Sequence, residues 1–317
     1  MSDIPVGRFA PSPSGRMHLG NVLTAMLAWL SVKSRGGRFV LRIEDLDTAR
    51  CRKEYAKQLM DDLNWLGLTW DEGPCAAMPH APYFQSECTA LYEQALAQLS
   101  RSQIIYPCFC SRADLHAASA PHRTDGTAIY AGTCRSLTPQ QCETYKLQGR
   151  QAALRVAVPG RDISFHDTLC GSVQQNLARE CGDFIIRRSD GIFAYQLAVV
   201  VDDARMGITE VVRGRDLLDS TPRQIFLQQA LGFPLPEYIH TPLLVNAQGA
   251  RLSKRDGALD LGVLRHKFTP CQLIGRLAAL VGLLPAPESI DLRTLAANFS
   301  WQQIHSADIS VPFSWFE

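Results

Sequence analysis

Arg8-Phe9-Ala10-Pro11-Ser12-Pro13-Ser14-Gly15-Arg16-Met17-His18-Leu19-Gly20-Asn21 leads directly into an apolar stretch and then into Phe39-Val40-Leu41-Arg42-Ile43-Glu44-Asp45. Two prolines and a glycine hold an extended turn. From Asn21 onward, Val22, Leu23, Met26, Leu27 and Leu30 fall at the helical period. His18 and Gly20 therefore sit at a helix N-terminus, whose unpaired N–H groups and positive dipole end receive phosphate. Gly20 admits a nucleotide close to the backbone, and His18 can donate to a phosphate oxygen. An ordinary turn that caps a core helix would use the same residues.

Working outward, Phe39–Leu41 reads as a buried strand. Tyr55, Leu59, Leu63 and Leu66 keep one helical stripe, and Leu91, Ala95, Leu96 and Leu99 keep another. Strand–helix alternation predicts an α/β fold with a doubly wound, Rossmann-like parallel sheet and its ligand at the carboxyl ends of the strands. Glu44 follows such a strand. Residues 1–100 form the first half of this domain. Residues 101–190 read as an α+β insertion, in which "AALRVAVPG" and "ISFHDTLCGSV" alternate like short antiparallel strands. Residues 191–257 return to the sheet, with a strand expected at Leu197–Val201. A helix should start at Ser220-Thr221-Pro222, with a hydroxyl cap and proline at the first position. Residues 258–317 read as a short helical unit.

The chain has 317 residues, 46% hydrophobic, and a formal charge of +1. That is ample for one large core and a smaller one. No apolar run reaches the ~18–20 residues of a membrane span. The start, Met1-Ser2-Asp3, lacks a secretory signal, so the expected compartment is the cytoplasm. Near-neutral charge argues against tight nonspecific binding to nucleic acid. Ten cysteines in such a chain point to thiols or metal rather than disulfides. Cys170, Cys181 and Cys271 read as small core residues. Cys108, Cys110 and Cys134 could supply three thiolates to a closed tetrahedral site, with His116, His122 and Cys142 as competing ligands.

Far downstream stands Arg251-Leu252-Ser253-Lys254-Arg255. A basic loop suits the charge that builds on a displaced phosphate, although most such runs are solvated turns. The two segments together resemble the class I aminoacyl-tRNA synthetases, specifically the glutamyl branch. His18-Leu19-Gly20-Asn21 resembles the HIGH motif, and Arg251 to Arg255 the KMSKS loop. "LRIEDLD" (41–47), "LNWLGLTWDEGP" (63–74), "YFQSE" (83–87) and "YQLAVVVDDARMGITEVVRGRDLLDSTPRQ" (195–224) extend the resemblance in the family's order.

The resemblance implies ATP binding at Pro11, His18, Gly20, Asn21, Ser253 and Lys254, with His18, Gly20 and Lys254 catalytic and Mg²⁺ on the phosphates. It implies a glutamate pocket of Arg8, Ala10, Ser12, Glu44, Tyr195 and Arg213. Two arginines suit two carboxylates, and an acid suits the ammonium. The bland alternative pairs Arg8 and Arg213 with Asp45, Asp47 or Asp216. The family's C-x-C followed by Y-x₃-C further implies one structural Zn²⁺ on Cys108, Cys110, Tyr130 and Cys134.

Residues 258–317 are too few for the anticodon-binding region of a full-length glutamyl enzyme, given domains of ~100–150 residues. The resemblance then narrows to a truncated relative, which activates L-glutamate with ATP and attaches it to queuosine in the anticodon loop of tRNA(Asp). A monomer is expected. Some full-length members read "YHLANVVDDH" where this chain has "YQLAVVVDDA", so Val199 is expected to reshape the amino-acid site. Two other readings share these motifs: a discriminating glutamyl-tRNA synthetase that lacks its anticodon region, and a catalytically silent binding module.

Overall fold

The computed structural model describes residues 4–75, 77–111, 114, 129–250, 252 and 259–316. The elements run β1 (Val6–Phe9), α1 (Leu19–Lys33), β2 (Arg38–Leu41), α2 (Lys53–Leu66), α3 (Thr89–Arg101) and β3 (Ile105–Cys108). Next come α4 (Pro139–Leu147), β4 (Ala153–Val156), β5 (Asp162–Asp167), β6 (Gly171–Asn176), α5 (Leu177–Glu180) and β7 (Phe184–Arg187). Then follow α6 (Tyr195–Arg205), β8 (Glu210–Gly214), α7 (Thr221–Leu231), β9 (Glu237–Thr241) and β10 (Leu244–Val245). The chain closes with α8 (Leu261–Lys267), α9 (Pro270–Val281), α10 (Leu292–Ala297) and β11 (Ile309–Ser310).

The main sheet has the order β2-β1-β8-β9-β5-β6. Its first four strands are parallel neighbours, as expected of the α/β class. Successive strand residues face opposite sides, and each side is covered. Phe39 and Leu41 join one core with Val212 and Ile239, while Val40 joins the other with Val211 and Tyr238. Two-sided burial explains why these strands read as apolar runs rather than as alternations.

The stretch 101–190 divides in two. β3, β4 and β7 form a separate antiparallel sheet, whereas the β5–β6 hairpin extends the main sheet beside β9, where Asp167 partners Tyr238. The apolar faces of α8, α9 and α10 share one core with α1 and α2.

Three local expectations need correction. Leu197–Val201 lies within helix α6, not in a strand. Every residue from Gln196 to Asp203 is buried, so the run is apolar on all sides and its period carries no information. Ser220 does stand at the N-cap of α7, but its hydroxyl makes no cap bond; it accepts from Gln196 Nε2 at 3.0 Å instead. Cys170, Cys181 and Cys271 are half-buried rather than core. None of the ten cysteines, all of them described, forms a disulfide.

Candidate active site and metal cluster

A cavity of roughly 450 Å³ opens at the carboxyl ends of β1 and β8. Arg8, Ala10, Pro11, Ser12, His18, Gly20, Asn21, Glu44, Tyr195 and Arg213 all line it, so the tertiary structure gathers every described candidate for the nucleotide and glutamate sites. Ser253 and Lys254 lie outside the described residues, as do Arg251 and Arg255. Leu252, between them, lines the same cavity and donates its N–H to Leu244 O at 3.0 Å.

His18 is the N-cap of α1. Gly20 N–H donates to His18 Nδ1 at 3.2 Å, and Asn21 Oδ1 accepts from His18 N–H at 3.2 Å. With Nδ1 an acceptor, the neutral ring carries its proton on Nε2. A Cβ on Gly20 would lie 3.1 Å from His18 Cε1, so glycine here also leaves room for the ring.

The two arginines stand one residue before the ends of β1 and β8, on neighbouring strands. Arg8 is 4% exposed; its Nη1 donates to Val212 O at 3.0 Å, and its Nε lies 3.4 Å from Asp203. Arg213 is equally buried. It donates from Nη1 to Gln224 Oε1 at 2.7 Å, from Nη2 to Thr221 Oγ1 at 2.8 Å and from Nε to His240 Nε2 at 3.1 Å. Neither arginine pairs with Asp45, Asp47 or Asp216 among the described ion pairs. Asp45 instead accepts from Ser86 N–H and Oγ.

Glu44 Oε1 accepts from Arg42 Nη2 at 3.3 Å. Arg42 is in turn held by Asp203 at 2.7 Å, with Asp202 at 3.9 Å. Burial pushes the Glu44 carboxyl above its usual range, against the pull of Arg42 and Arg8. Burial likewise raises the Tyr195 phenol, which stays neutral. The supporting set of Arg42, Asp203, Gln224, Thr221 and His240 was not singled out from sequence, although most of it lies within or beside the quoted family stretches. Val199 does not line the cavity; it is buried in the second core.

A second group lies at the end of β3. The sulfurs of Cys108, Cys110 and Cys134 all lie within 4.8 Å of one another. Cys110 Sγ is 3.5 Å from Cys134 Sγ, and the Tyr130 hydroxyl is 3.5 Å from Cys108 Sγ and 4.0 Å from Cys110 Sγ. Tetrahedral ligands at a zinc–sulfur distance of ~2.3 Å would stand about 3.8 Å apart, so the spacing fits such an ion. Arg155 donates from Nε to Cys108 Sγ at 3.3 Å and stacks 3.8 Å from the Tyr130 ring centroid. Against burial, Tyr130, the Cys110 N–H and Arg155 hold the Cys108 thiol below its ordinary value; burial and Cys134 push the Cys110 thiol to about 12. Cys142 is not in the cluster, and His116 and His122 lie outside the described residues.

Residues 6–288 match the family described as tRNA synthetases class I (E and Q), catalytic domain. A glutamyl-Q tRNA(Asp) synthetase of Symbiobacterium thermophilum is 51% identical over 96% of this chain and 95% of its own length. One from Nitratidesulfovibrio vulgaris is 49% identical over 88% of this chain and 87% of its own. A glutamate–tRNA synthetase structure from Elizabethkingia anophelis superposes with a TM-score of 0.86 at 28% identity, covering 99% of this chain and 69% of that one.

Proposed function

Because the chain belongs to the class I tRNA synthetase family of the glutamyl and glutaminyl enzymes, we propose that it activates glutamate with ATP and transfers the glutamyl group to queuosine in the anticodon loop of tRNA(Asp). The observation that carries this reading is the near end-to-end match, at about half identity, to enzymes named for that transfer. The cavity's chemistry supports the activation step. Two buried guanidinium groups answer two carboxylates, and Glu44 answers an ammonium.

In activation, a glutamate carboxylate oxygen attacks the α-phosphorus of ATP, forming the acyl–phosphate bond as pyrophosphate leaves. His18 Nε2–H, the α1 N-terminus and Lys254 stabilise charge on the phosphates, and a bound Mg²⁺ would neutralise part of that charge. Pro11 and Asn21 shape the turn against the nucleotide. Arg8, Ala10, Ser12, Tyr195 and Arg213 hold the amino acid so that its reacting carboxylate is aligned. In transfer, a hydroxyl of the queuosine ring attacks the adenylate carbonyl and AMP leaves. A tRNA substrate places this reaction in the cytoplasm. Cys108, Cys110, Cys134 and Tyr130 would hold a zinc ion that ties β3 to the segment around residue 130, a folding role remote from the reacting atoms.

The test is labelled glutamate with ATP and tRNA(Asp), with and without queuosine, before and after enzymatic removal of the 3′ terminal nucleotides. Label should survive trimming and vanish without queuosine. Label on queuosine-free tRNA(Glu), lost on trimming, would instead identify a 3′-charging enzyme. Absence of any glutamate-dependent pyrophosphate exchange would leave a silent binding module.

A further inference from the structure

Arg8 and Arg42 both lean on Asp203. Arg213 differs: among the described residues it makes no ion pair, and its Nε contact is an imidazole. A guanidinium does not give up its protons, so His240 Nε2 must be the acceptor in that 3.1 Å contact. The ring proton therefore sits on Nδ1, 2.6 Å from Asp167 Oδ2. Thr221 Oγ1 accepts from Arg213 and lies 3.1 Å from the same Nε2. Asp167 and His240 are fully buried.

Asp167 belongs to the hairpin that extends the main sheet. Its Oδ1 takes the N–H groups of Leu169 and Cys170 at 3.0 and 2.8 Å, and its Oδ2 takes the His240 backbone N–H at 3.0 Å. The carboxylate is thus fixed by backbone before it meets the ring. Burial and the neighbouring Arg213 keep the imidazole neutral, opposing the pull of Asp167, with Arg8 adding to the repulsion of a ring proton.

We propose that Asp167 and His240 are positioning residues for the amino-acid subsite: Asp167 selects the imidazole tautomer that presents a neutral acceptor to Arg213. A carboxylate at that contact would orient the arginine equally well but cancel its charge. The imidazole orients it and leaves the charge for a substrate carboxylate. This inference rests on the reading that Arg213 binds glutamate.

The test is glutamate-dependent ATP–pyrophosphate exchange by the full chain, with KM measured separately for glutamate and ATP, and a thermal melt of each variant. In Asp167→Asn the amide oxygen keeps the Leu169 and Cys170 N–H groups and, at 3.3 Å, the His240 N–H, while the amide nitrogen donates to Nδ1. The ring proton then moves to Nε2, where it faces the Arg213 Nε–H. Glutamate KM should rise about tenfold, the scale of one lost charge-assisted hydrogen bond, while ATP KM stays within about twofold. His240→Leu should show the same split. His240→Gln should recover most of the loss, because its amide oxygen can stand in for Nε2. On the His240→Gln background Asp167→Asn should add nothing to glutamate KM, since no tautomer is left to select, while the weakened contact to the residue-240 N–H, common to both backgrounds, shows only in the melt.

A purely structural Asp167 predicts otherwise. The asparagine would then raise both KM values together in both backgrounds, or, with His240 in place, lower the melting temperature without moving glutamate KM. Either result overturns the proposal. If Asp167→Asn does not fold, the leucine–glutamine contrast at position 240 decides on its own: equal glutamate KM values for the two would overturn it. Failure of the wild-type protein to exchange with glutamate would remove the underlying functional reading, and that outcome is visible before any substitution is made.

Discussion

Glu44 shows how one buried carboxyl is tuned for its ligand. Burial raises its pKa and Arg42 opposes the rise, so near its folded-state pKa the side chain exchanges a proton readily. Only the ionised form pairs with an ammonium. Glutamate KM should therefore rise as pH falls through that pKa, which lies above the ordinary carboxylate value of ~4.3. Glu44→Gln should raise glutamate KM on the order of a hundredfold, as removal of one partner of a buried ion pair does, and should flatten the acid limb. KM profiles taken from the ordinary carboxylate range upward check both; an unchanged limb in the variant assigns the titration elsewhere. At the same scale, His18 and Gly20 were legible because the turn and the apolar period of α1 mark the helix start. His240 was not, because its function needs Arg213 and Asp167, which come from other strands.

At the scale of elements, α6 and the metal cluster make opposite cases. The run Leu197–Val201 suggests a strand by its β-branched residues, yet packing on all sides makes it a helix. Local propensity is weak where tertiary burial is complete. For the cluster, chain spacing sufficed to nominate the three cysteines, and the fold brings their sulfurs within 4.8 Å. Elemental analysis of protein purified without chelator should find one zinc per chain, lost in Cys108→Ser because a hydroxyl is a poor substitute for a soft thiolate. Tyr130→Phe should weaken retention against a chelator. Unchanged retention would remove the phenol from the ligand set while leaving the three thiolates.

At the scale of the molecule, two cores cover the two faces of the sheet, and the last helices are built into one of them. Leu273, Leu277, Val281, Leu292 and Leu295 pack in the same core as Leu23, Met26 and Leu30, while Trp301 Nε1 donates to Ser31 Oγ at 3.0 Å. The segment 258–317 is thus part of the body that holds α1, and with it His18, in place. Leu277→Ala should cost about 2–5 kcal/mol, the usual range for a buried leucine. A lower urea midpoint with an unchanged m-value checks this; a much smaller cost would mean that α9 contributes little to the common core. No helix among the described residues is long and apolar enough to cross a membrane.

The sequence by itself determined the parallel α/β class, the start of α1 and the cysteine trio, because each is written in local period, turn chemistry or close spacing; the ten cavity residues were named through the resemblance of its motifs to the glutamyl synthetases. Tertiary structure alone decided the rest. It turned an apolar run into α6, moved the β5–β6 hairpin into the main sheet, and withdrew Val199 from the cavity into the core. It also left Arg213 facing a neutral imidazole while Arg8 faces an aspartate. These outcomes depend on which side chains meet across the sheet, and residue 167 meets residue 240 only once the hairpin docks beside β9.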